Sequence, residues 1–199
     1  MMDKTLPYVD IAMVRYGNLE RKTHLLPVGY RFAFYQPGDE DHWAEIVVSS
    51  GEFSKMSDAS NKFAEDFLSR KQDLFNRLFF IVAPDGEYVG TTMVWEGAHL
   101  GRELPRLHWV SVKGPCQGLG LGKSLVSRGI QLVAELYGEH SDSYLTTQTW
   151  SYPAINIYLS FGYQFYEGPV DGKRTDMEET LRVINPYLRS RPDPKKWLF

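Results

Sequence analysis

The chain has one cysteine in 199 residues, and several features that define other protein classes are missing as well. A single cysteine, Cys116, excludes an internal disulfide and suits a reducing compartment. No apolar run reaches the roughly 20 residues that a membrane-spanning helix needs. The first ten residues, MMDKTLPYVD, lack the apolar core of a secretory signal. The sequence therefore predicts a cytoplasmic location and no membrane partner.

A large excess of either charge is also missing. The 22 Lys and Arg residues nearly balance the 25 Asp and Glu residues, giving a net charge of −3. Because no long basic run is present, we expect no nucleic-acid partner. Length and composition predict a single domain over 1–199. Within it we expect an N-terminal arm or added strand over 1–27, a core over 28–168 and a C-terminal strand or tail over 169–199.

Hydrophobic periodicity divides the chain into alternating strands and helices. The predicted strands are 9–15, 30–35, 78–83, 88–95, 107–112, 144–150 and 163–166. The predicted helices are 39–50, 58–76, 123–137 and 153–161, with Ser57 as N-cap of the second and Ser151 as N-cap of the last. Residues 177–184 are compatible with a helix or a final strand, and 189–199 read as an irregular tail.

The segment from Leu107 to Lys123, LHWVSVKGPCQGLGLGK, joins an apolar strand to a helix through a glycine-rich turn. Gly118, Gly120 and Gly122 stand on alternate positions at the start of the predicted helix. Because glycine has no Cβ, successive N–H groups can turn toward one point. The helix N-terminus adds unpaired donors and a partial positive charge. This order of elements predicts a cradle for a phosphate or a pyrophosphate.

Three phosphate-binding motifs compete for this segment. The dinucleotide fingerprint G-x-G-x-x-G fails, because Lys123 stands where its third glycine is required. The P-loop pattern matches at Gly122-Lys123-Ser124, but Gln117 occupies the position of its first glycine. The pattern Q/R-x-x-G-x-G/A is met in full by Gln117, Gly120 and Gly122. A turn that only connects strand and helix is the remaining interpretation, and the flanking elements argue against it.

A second motif lies downstream, in residues 154–163, AINIYLSFGY. Its helix ends at Gly162, which is the residue type preferred just after a helix. This run resembles the last sequence block of the Gcn5-related N-acetyltransferases (GNAT), A-I-x-x-Y-x-x-x-G-F, with Tyr163 in place of Phe. The Gln117, Gly120 and Gly122 pattern resembles the acyl-CoA pyrophosphate loop of the same family. Two further departures are Gly114, where the family usually has Pro, and Gln117 in place of the commoner Arg. Neither departure removes a backbone donor.

The resemblance implies both a fold and a donor substrate. The GNAT fold is an α/β fold of the α+β type, with a central mixed, mostly antiparallel sheet that is splayed at its middle and flanked by helices. The donor is acetyl-CoA, with its pyrophosphate on the cradle and its pantetheine arm beside the strand that ends at Val112. No metal is implied. The implied donor-binding residues are Val110, Ser111, Val112, Gln117, Gly118, Leu119, Gly120, Leu121, Gly122, Lys123 and Asn156.

The resemblance also implies catalytic candidates. Tyr158 matches the family tyrosine near the sulfur, and a phenol is a suitable general acid for a thiolate leaving group. Glu96 and His108 are candidates for the general base, and an ordered water chain is an equal alternative. Each of these side chains also has a purely structural interpretation. Cys116 has no neighbour in sequence that would create a thiolate, so we interpret it as packing or loop.

The acceptor is less defined than the donor. We expect a small primary amine in a pocket built from helices 39–50 and 58–76, the loop 96–106 and the tail. An aromatic wall of that pocket is predicted from Trp43, Phe53, Trp95 and Trp150. Two other functions stay open, a non-catalytic acyl-CoA-binding module and a P-loop phosphotransferase. A homodimer is compatible with the family.

Overall fold

Strands and helices alternate through the computed structural model, which describes residues 2–174 and 176–189 and only the backbone of Arg174. The strands within these residues are β1 (Asp10–Arg15), β2 (Arg31–Phe34), β3 (Leu78–Val82), β4 (Tyr88–Gly97), β5 (Leu104–Val112), β6 (Ser143–Gln148), β7 (Gln164–Phe165), β8 (Pro169–Val170) and β9 (Lys173–Arg174). The helices are α1 (Glu40–Ser50), α2 (Met56–Phe67), α3 (Lys71–Arg77), α4 (Leu121–Tyr137), α5 (Tyr152–Ser160) and α6 (Met177–Ile184). None of these helices is both long enough and apolar enough to cross a bilayer.

Seven strands form one mixed sheet in the order β2-β3-β4-β5-β6-β1-β7, and β8 and β9 form a separate two-stranded sheet. β5 and β6 run parallel, with Arg106 opposite Tyr144. The pairs β2–β3, β3–β4, β1–β6 and β1–β7 are antiparallel. This confirms the predicted α/β class with a mostly antiparallel sheet and flanking helices.

One compact unit, called here the cradle unit, comprises Thr23–Val94 and Trp109–Gly129. β3 is buried at all five positions and carries β2 on one side and β4 on the other. α1 and α2 pack through the rings of Trp43 and Phe63, whose centroids lie 5.1 Å apart. The largest side chains of its core are each at most 1% exposed: Tyr35, Trp43, Phe63, Phe67, Phe79 and Phe80.

The other compact unit, called here the tyrosine unit, comprises Met2–Lys22, Trp95–His108 and the chain from Ile130 onward. β1 lies between β6 and β7, and five of its six residues are buried. The buried Arg15 at its end donates to four backbone carbonyls, those of Tyr16, Leu19, Glu20 and Phe161. A charged side chain is thereby held by carbonyl oxygens inside the unit, which meets the requirement for buried charge to be hydrogen-bonded.

The predicted helix over 58–76 is wrong, because it is two helices. α2 ends at Phe67, a short 3-10 turn spans Leu68–Arg70, and α3 follows. Phe67 and Leu74 are both buried, and their seven-residue spacing also fits one continuous helix. The apolar pattern therefore does not reveal the break.

The ends of two elements also differ from the sequence prediction. Lys55, not Ser57, is the N-cap of α2, whereas Ser151 is the N-cap of α5 as predicted, although its side chain makes no cap bond. The strand before α5 ends at Gln148, because Thr149–Ser151 form a 3-10 turn. Residues 177–184 form a helix, where the side chain of Asp176 accepts from the N–H of Glu179 at 2.8 Å. Of the predicted tail, residues 190–199 lie outside the described part of the chain.

Candidate functional site

The glycine-rich turn between β5 and α4 has the backbone that its sequence predicts. Gly118 and Gly120 have φ of 87° and 85°, in the left-handed region where residues with a Cβ are disfavoured. An added Cβ on Gly118 would meet nothing within 4 Å, so the turn is open on that side. The carbonyl of Gly120 accepts from the N–H groups of Lys123 and Ser124 at 3.0 and 3.2 Å, and this begins the helix.

A row of backbone donors results from this geometry. The N–H groups of residues 118–122 donate to no other residue in the part of the chain that the structure describes. The free N–H groups in the first turn of a helix point outward from its N-terminal end. The helix dipole also favours an anion at that end. Consecutive unpaired N–H groups of this kind fit the phosphate oxygens of a nucleotide-type ligand.

The end of β5 is fixed to its neighbours by polar contacts. The side-chain amide of Gln117 donates to the carbonyl of Val112 at 3.0 Å and folds the turn back onto the strand. Lys113 forms ion pairs with Glu45 and Glu87 at 3.2 and 2.9 Å. Burial acts to lower the pKa of Lys113, but the hydrogen bonds that its ammonium donates to these carboxylates raise it overall. The glycine turn therefore follows a strand end that is tied to α1 through Glu45 and to β4 through the N–H of Lys113, which donates to the carbonyl of Val89 at 2.9 Å.

The strand before the cradle is irregular at Trp109. Its φ is 53°, a conformation that non-glycine residues rarely adopt and that costs roughly 1–3 kcal/mol. Trp109 packs edge-on against Trp43 at 5.1 Å and stacks with Phe53 at 5.7 Å. Trp43 and Phe53 were both predicted for the aromatic wall, and Trp109, which the sequence did not single out, contacts both of them. Val110 and Val112 are half-buried, and Ser111 is buried.

The segment before β2 lies against the cradle. The backbone N–H of His24 donates to Oγ of Ser127 at 3.0 Å, and the carbonyl of Leu25 accepts from Oγ of Ser124 at 3.1 Å. Nε2 of His24 lies 3.2 Å from the position that a Cβ on Gly120 would take. Sequence reasoning missed His24, since about 100 residues separate it from the cradle and no local pattern links them.

In the tyrosine unit, Tyr158 is only 6% exposed. Its ring meets the ring of Tyr163 edge-on, with centroids 6.0 Å apart. Burial raises the pKa of Tyr163 to about 12, and its hydroxyl lies 3.1 Å from Oγ of Ser143. The ring of Tyr158 is thus buried and packed on Tyr163, and its role as general acid stays a prediction.

Asn156, predicted to bind the donor, has other contacts in the structure. Its amide nitrogen donates to the carbonyls of Tyr152 and Tyr187, each at 3.0 Å. Its amide oxygen accepts from the N–H of Arg189 at 2.7 Å. Two of these hydrogen bonds, those with Tyr187 and Arg189, hold the C-terminal segment on α5, and the contact of Asn156 with the donor stays a prediction.

The two candidate bases lie on neighbouring strands, Glu96 near the end of β4 and His108 in the middle of β5. The carboxylate of Glu96 accepts from the hydroxyl of Tyr137, the last residue of α4, at 2.7 Å. His108 is half-buried within β5. The hydroxyl of Tyr137 therefore orients the carboxylate of Glu96. The position of His108 is set by β5.

A third histidine, His99, belongs to a polar cluster that the sequence did not predict. Nδ1 of His99 lies 2.6 Å from the hydroxyl of Tyr144, and Nε2 lies 3.5 Å from Nη1 of Arg106. Arg106 also donates to Oγ1 of Thr146. Burial, and then the charge of Arg106, lowers the pKa of His99. An added Cβ on Gly97 would lie 2.0 Å from the Tyr144 hydroxyl, so the cluster requires glycine there.

Two other predicted residues have clear structural surroundings. Burial, and then the charge of Glu87, raises the pKa of the Cys116 thiol, which opposes thiolate formation. Trp150 packs on the N-terminal segment: its Nε1 donates to the carbonyl of Leu6 at 2.6 Å, and its ring meets Tyr8 edge-on. This contact differs from the pocket wall that the sequence suggested for Trp150. No group of three or more potential metal ligands occurs among the described residues.

Comparison with known proteins gives a consistent result. The sequence profile described as "Acetyltransferase (GNAT) family" matches residues 32–163. Mycothiol acetyltransferase from Streptomyces griseus is 28% identical over 145 residues, covering 72% of this chain and 46% of that protein. Mycothiol acetyltransferase from Arthrobacter sp. is 28% identical over 153 residues, covering 73% and 46%. The chain thus spans less than half the length of these curated relatives.

A solved structure supports the fold. A GCN5-related N-acetyltransferase from Sphaerobacter thermophilus superposes with a TM-score of 0.64 at 18% identity. The match covers 80% of this chain and 49% of that one.

Proposed function

This chain belongs to the GNAT acetyltransferase family, and on that premise we propose that it transfers the acetyl group of acetyl-CoA to the primary amine of a small molecule. The amine attacks the thioester directly, with both substrates bound at once. The observation that carries the proposal is the row of unpaired N–H groups over residues 118–122, set on two left-handed glycines at the start of α4. Such a row suits a pyrophosphate, which presents several acceptor oxygens.

Donor binding is assigned mainly to backbone groups of the cradle unit. The N–H groups from Gly118 to Gly122, including those of Leu119, Gly120 and Leu121, hold the pyrophosphate. Lys123, half-buried in the first turn of α4, adds a positive charge near the phosphates. The strand from Val110 to Val112 lines the pantetheine arm, and a backbone N–H of Val110 or Val112 meets the thioester oxygen.

The transfer step needs one acid and one base. As the N–C bond forms, negative charge develops on the carbonyl oxygen, and a strand N–H stabilises it. When the C–S bond breaks, Tyr158 gives its phenol proton to the departing sulfur. The amine's surplus proton passes to the base, so the products are the amide and free CoA thiol. Cys116 is assigned no part in the transfer, because the raised pKa of its half-buried thiol opposes thiolate formation.

Three assignments of the base remain under this proposal. Glu96 is supported by its hydrogen bond from Tyr137, which orients the carboxylate. His108 is supported by its place in β5, one residue before Trp109 at the irregular point of the strand. A water chain needs no side chain. Separate Glu96→Gln and His108→Gln variants distinguish these, since loss of the true base removes the acidic limb of the pH–rate profile.

The acceptor is proposed only as a class. The relatives named mycothiol acetyltransferase, at 28% identity, support acetyl transfer in general. They do not identify the acceptor of this chain. The fully buried Trp43 backs the half-buried rings of Phe53 and Trp109, and these two rings offer an aromatic surface that suits an apolar or cationic acceptor.

The first test is calorimetric titration of the purified protein with acetyl-CoA, with ATP–Mg²⁺ in a parallel titration. Saturable binding of acetyl-CoA alone is expected, followed by acceptor-dependent release of free thiol in a panel of small amines. Binding without thiol release for any amine would favour a non-catalytic acyl-CoA-binding module. Preference for ATP–Mg²⁺ would restore the P-loop interpretation, against which Gln117 at the first glycine position argues.

A further inference from the structure

The 23–29 segment, which precedes β2, is held on the first turns of α4 by two buried serines. Ser124 and Ser127 are 0% and 2% exposed, and a buried hydroxyl needs a hydrogen-bond partner. Ser124 gives its proton to the carbonyl of Leu25, and Ser127 accepts from the N–H of His24. Both contacts use backbone atoms of the segment. They therefore fix its position whatever side chain stands at residue 24.

This anchoring places the imidazole of His24 at the glycine turn. Nε2 lies 3.2 Å from the position of a Cβ on Gly120. Since Cβ and N of one residue share the same Cα, Nε2 is within about 6 Å of the Gly120 nitrogen. A phosphate that accepts from each donor through a different oxygen can bridge about 8 Å, with each hydrogen bond near 2.9 Å. The separation is thus suited to one phosphate group held by both donors.

The chemistry of the two donors is complementary. The cradle offers backbone N–H groups, which bind any anion of the right shape. Nε2 of an imidazole donates one further hydrogen bond in the Nε2–H tautomer and in the protonated ring alike. A hydrogen bond to a charged acceptor is stronger than one between neutral groups. A side chain that donates to the same anion from outside the turn therefore increases the affinity of the site for that anion.

We infer that His24 is a donor-binding residue, whose Nε2 holds the pyrophosphate of acetyl-CoA together with the N–H groups of the cradle. The inference rests on the proposed function, because the pyrophosphate belongs to its donor. It adds a ligand contact from a segment nearly 100 residues upstream of the glycine turn, outside the motifs that carry the family resemblance.

The test compares acetyl-CoA binding by wild-type protein and by His24→Ala, His24→Phe and His24→Gln, measured by calorimetry. Loss of one charge-assisted hydrogen bond should weaken binding about tenfold for His24→Ala. His24→Phe keeps a ring without a donor and should lose as much. His24→Gln keeps an N–H donor and should recover part of the loss. His140→Ala, which removes an exposed histidine of the tyrosine unit, is the control and should bind like wild type.

A second ligand identifies the phosphate concerned. 3′-Dephospho-acetyl-CoA keeps the pyrophosphate, so His24→Ala should weaken its binding by the same factor as for acetyl-CoA. A loss confined to acetyl-CoA would place His24 on the 3′-phosphate and overturn the inference. Equal binding by all three His24 variants and wild type would overturn it too. Failure of wild-type protein to bind acetyl-CoA is a separate outcome, which would overturn the proposed function and His24's role with it.

Discussion

The cradle and the His99 cluster are two polar sites built in opposite ways. The cradle presents backbone N–H groups that donate to no other described residue, and it needs glycine because side chains would disturb its backbone. The His99 cluster is made of side chains that bond one another, across 45 residues between His99 and Tyr144. The cradle thus keeps its donors open, whereas the side chains of the cluster use most of theirs on one another. Only the first kind of site leaves a signature in a short stretch of sequence.

The substitution with the largest expected effect disrupts the cradle. Gly120→Val places a β-branched residue at a φ of 85°, with its Cβ 3.2 Å from Nε2 of His24. Acetyl-CoA affinity should fall more than about 100-fold, because the strained turn can no longer present its donors. Calorimetry measures the affinity, and thermal unfolding checks the fold.

The matched control is Gly172→Val, at another left-handed glycine, whose added Cβ would meet nothing within 4 Å. It carries a similar backbone strain in the turn between β8 and β9 and should bind acetyl-CoA normally. Wild-type affinity in Gly120→Val would show that the turn is not the pyrophosphate site.

The substitution with the next largest expected effect tests whether Tyr158 of the tyrosine unit acts as the general acid. Tyr158→Phe should lower turnover about tenfold or more and leave acetyl-CoA affinity almost unchanged, as expected for loss of a general acid. Tyr163→Phe is the control, since it removes a buried hydroxyl bonded to Ser143 and keeps the ring contact with Tyr158. That control should reduce stability by about 1 kcal/mol and not turnover. Equal turnover in Tyr158→Phe and wild type would remove Tyr158 from the chemistry.

A smaller effect concerns the His99 cluster and pH. Burial and Arg106 lower the pKa of His99 below its ordinary 6.5, against an opposing attraction from Asp171. The unfolded chain therefore binds the proton more readily than the folded one, so the free energy of unfolding should fall as pH drops through 6.5. His99→Gln should flatten that fall in urea titrations between pH 7 and 5. The exposed His140→Gln serves as control, and an unchanged slope in His99→Gln would contradict the assignment.

The smallest expected effect is at Cys116, next to the cradle. Since burial raises the pKa of its thiol, Cys116→Ala should change turnover less than about twofold. The wild-type thiol should also react slowly with a disulfide reagent at pH 7. Rapid modification together with a large loss of turnover in Cys116→Ala would give this thiol a chemical role.

What could be predicted from the sequence follows the same division. The glycine turn, α4 and α5 depend on residues that are close together in the chain. Their sequence patterns therefore predicted the positions of these elements to within a few residues. Contacts between distant segments were not predictable: His24 at Gly120, and His99 with Tyr144. The break between α2 and α3 was also hidden, because Phe67 and Leu74 keep helical spacing across it.

The position of β1 sets the order in which the tyrosine unit can be completed during synthesis. β1 pairs with β6 from Arg15–Ser143 to Asp10–Gln148, so its partners lie 128 to 138 residues later in the chain. At roughly 5–20 residues per second, translation reaches them about 6 to 28 seconds after β1. Until then the apolar run Ile11–Val14 has no strand to join, and an unpaired apolar strand of this kind favours aggregation. β1 precedes the other described strands in the chain and is thus among the last of them to pair.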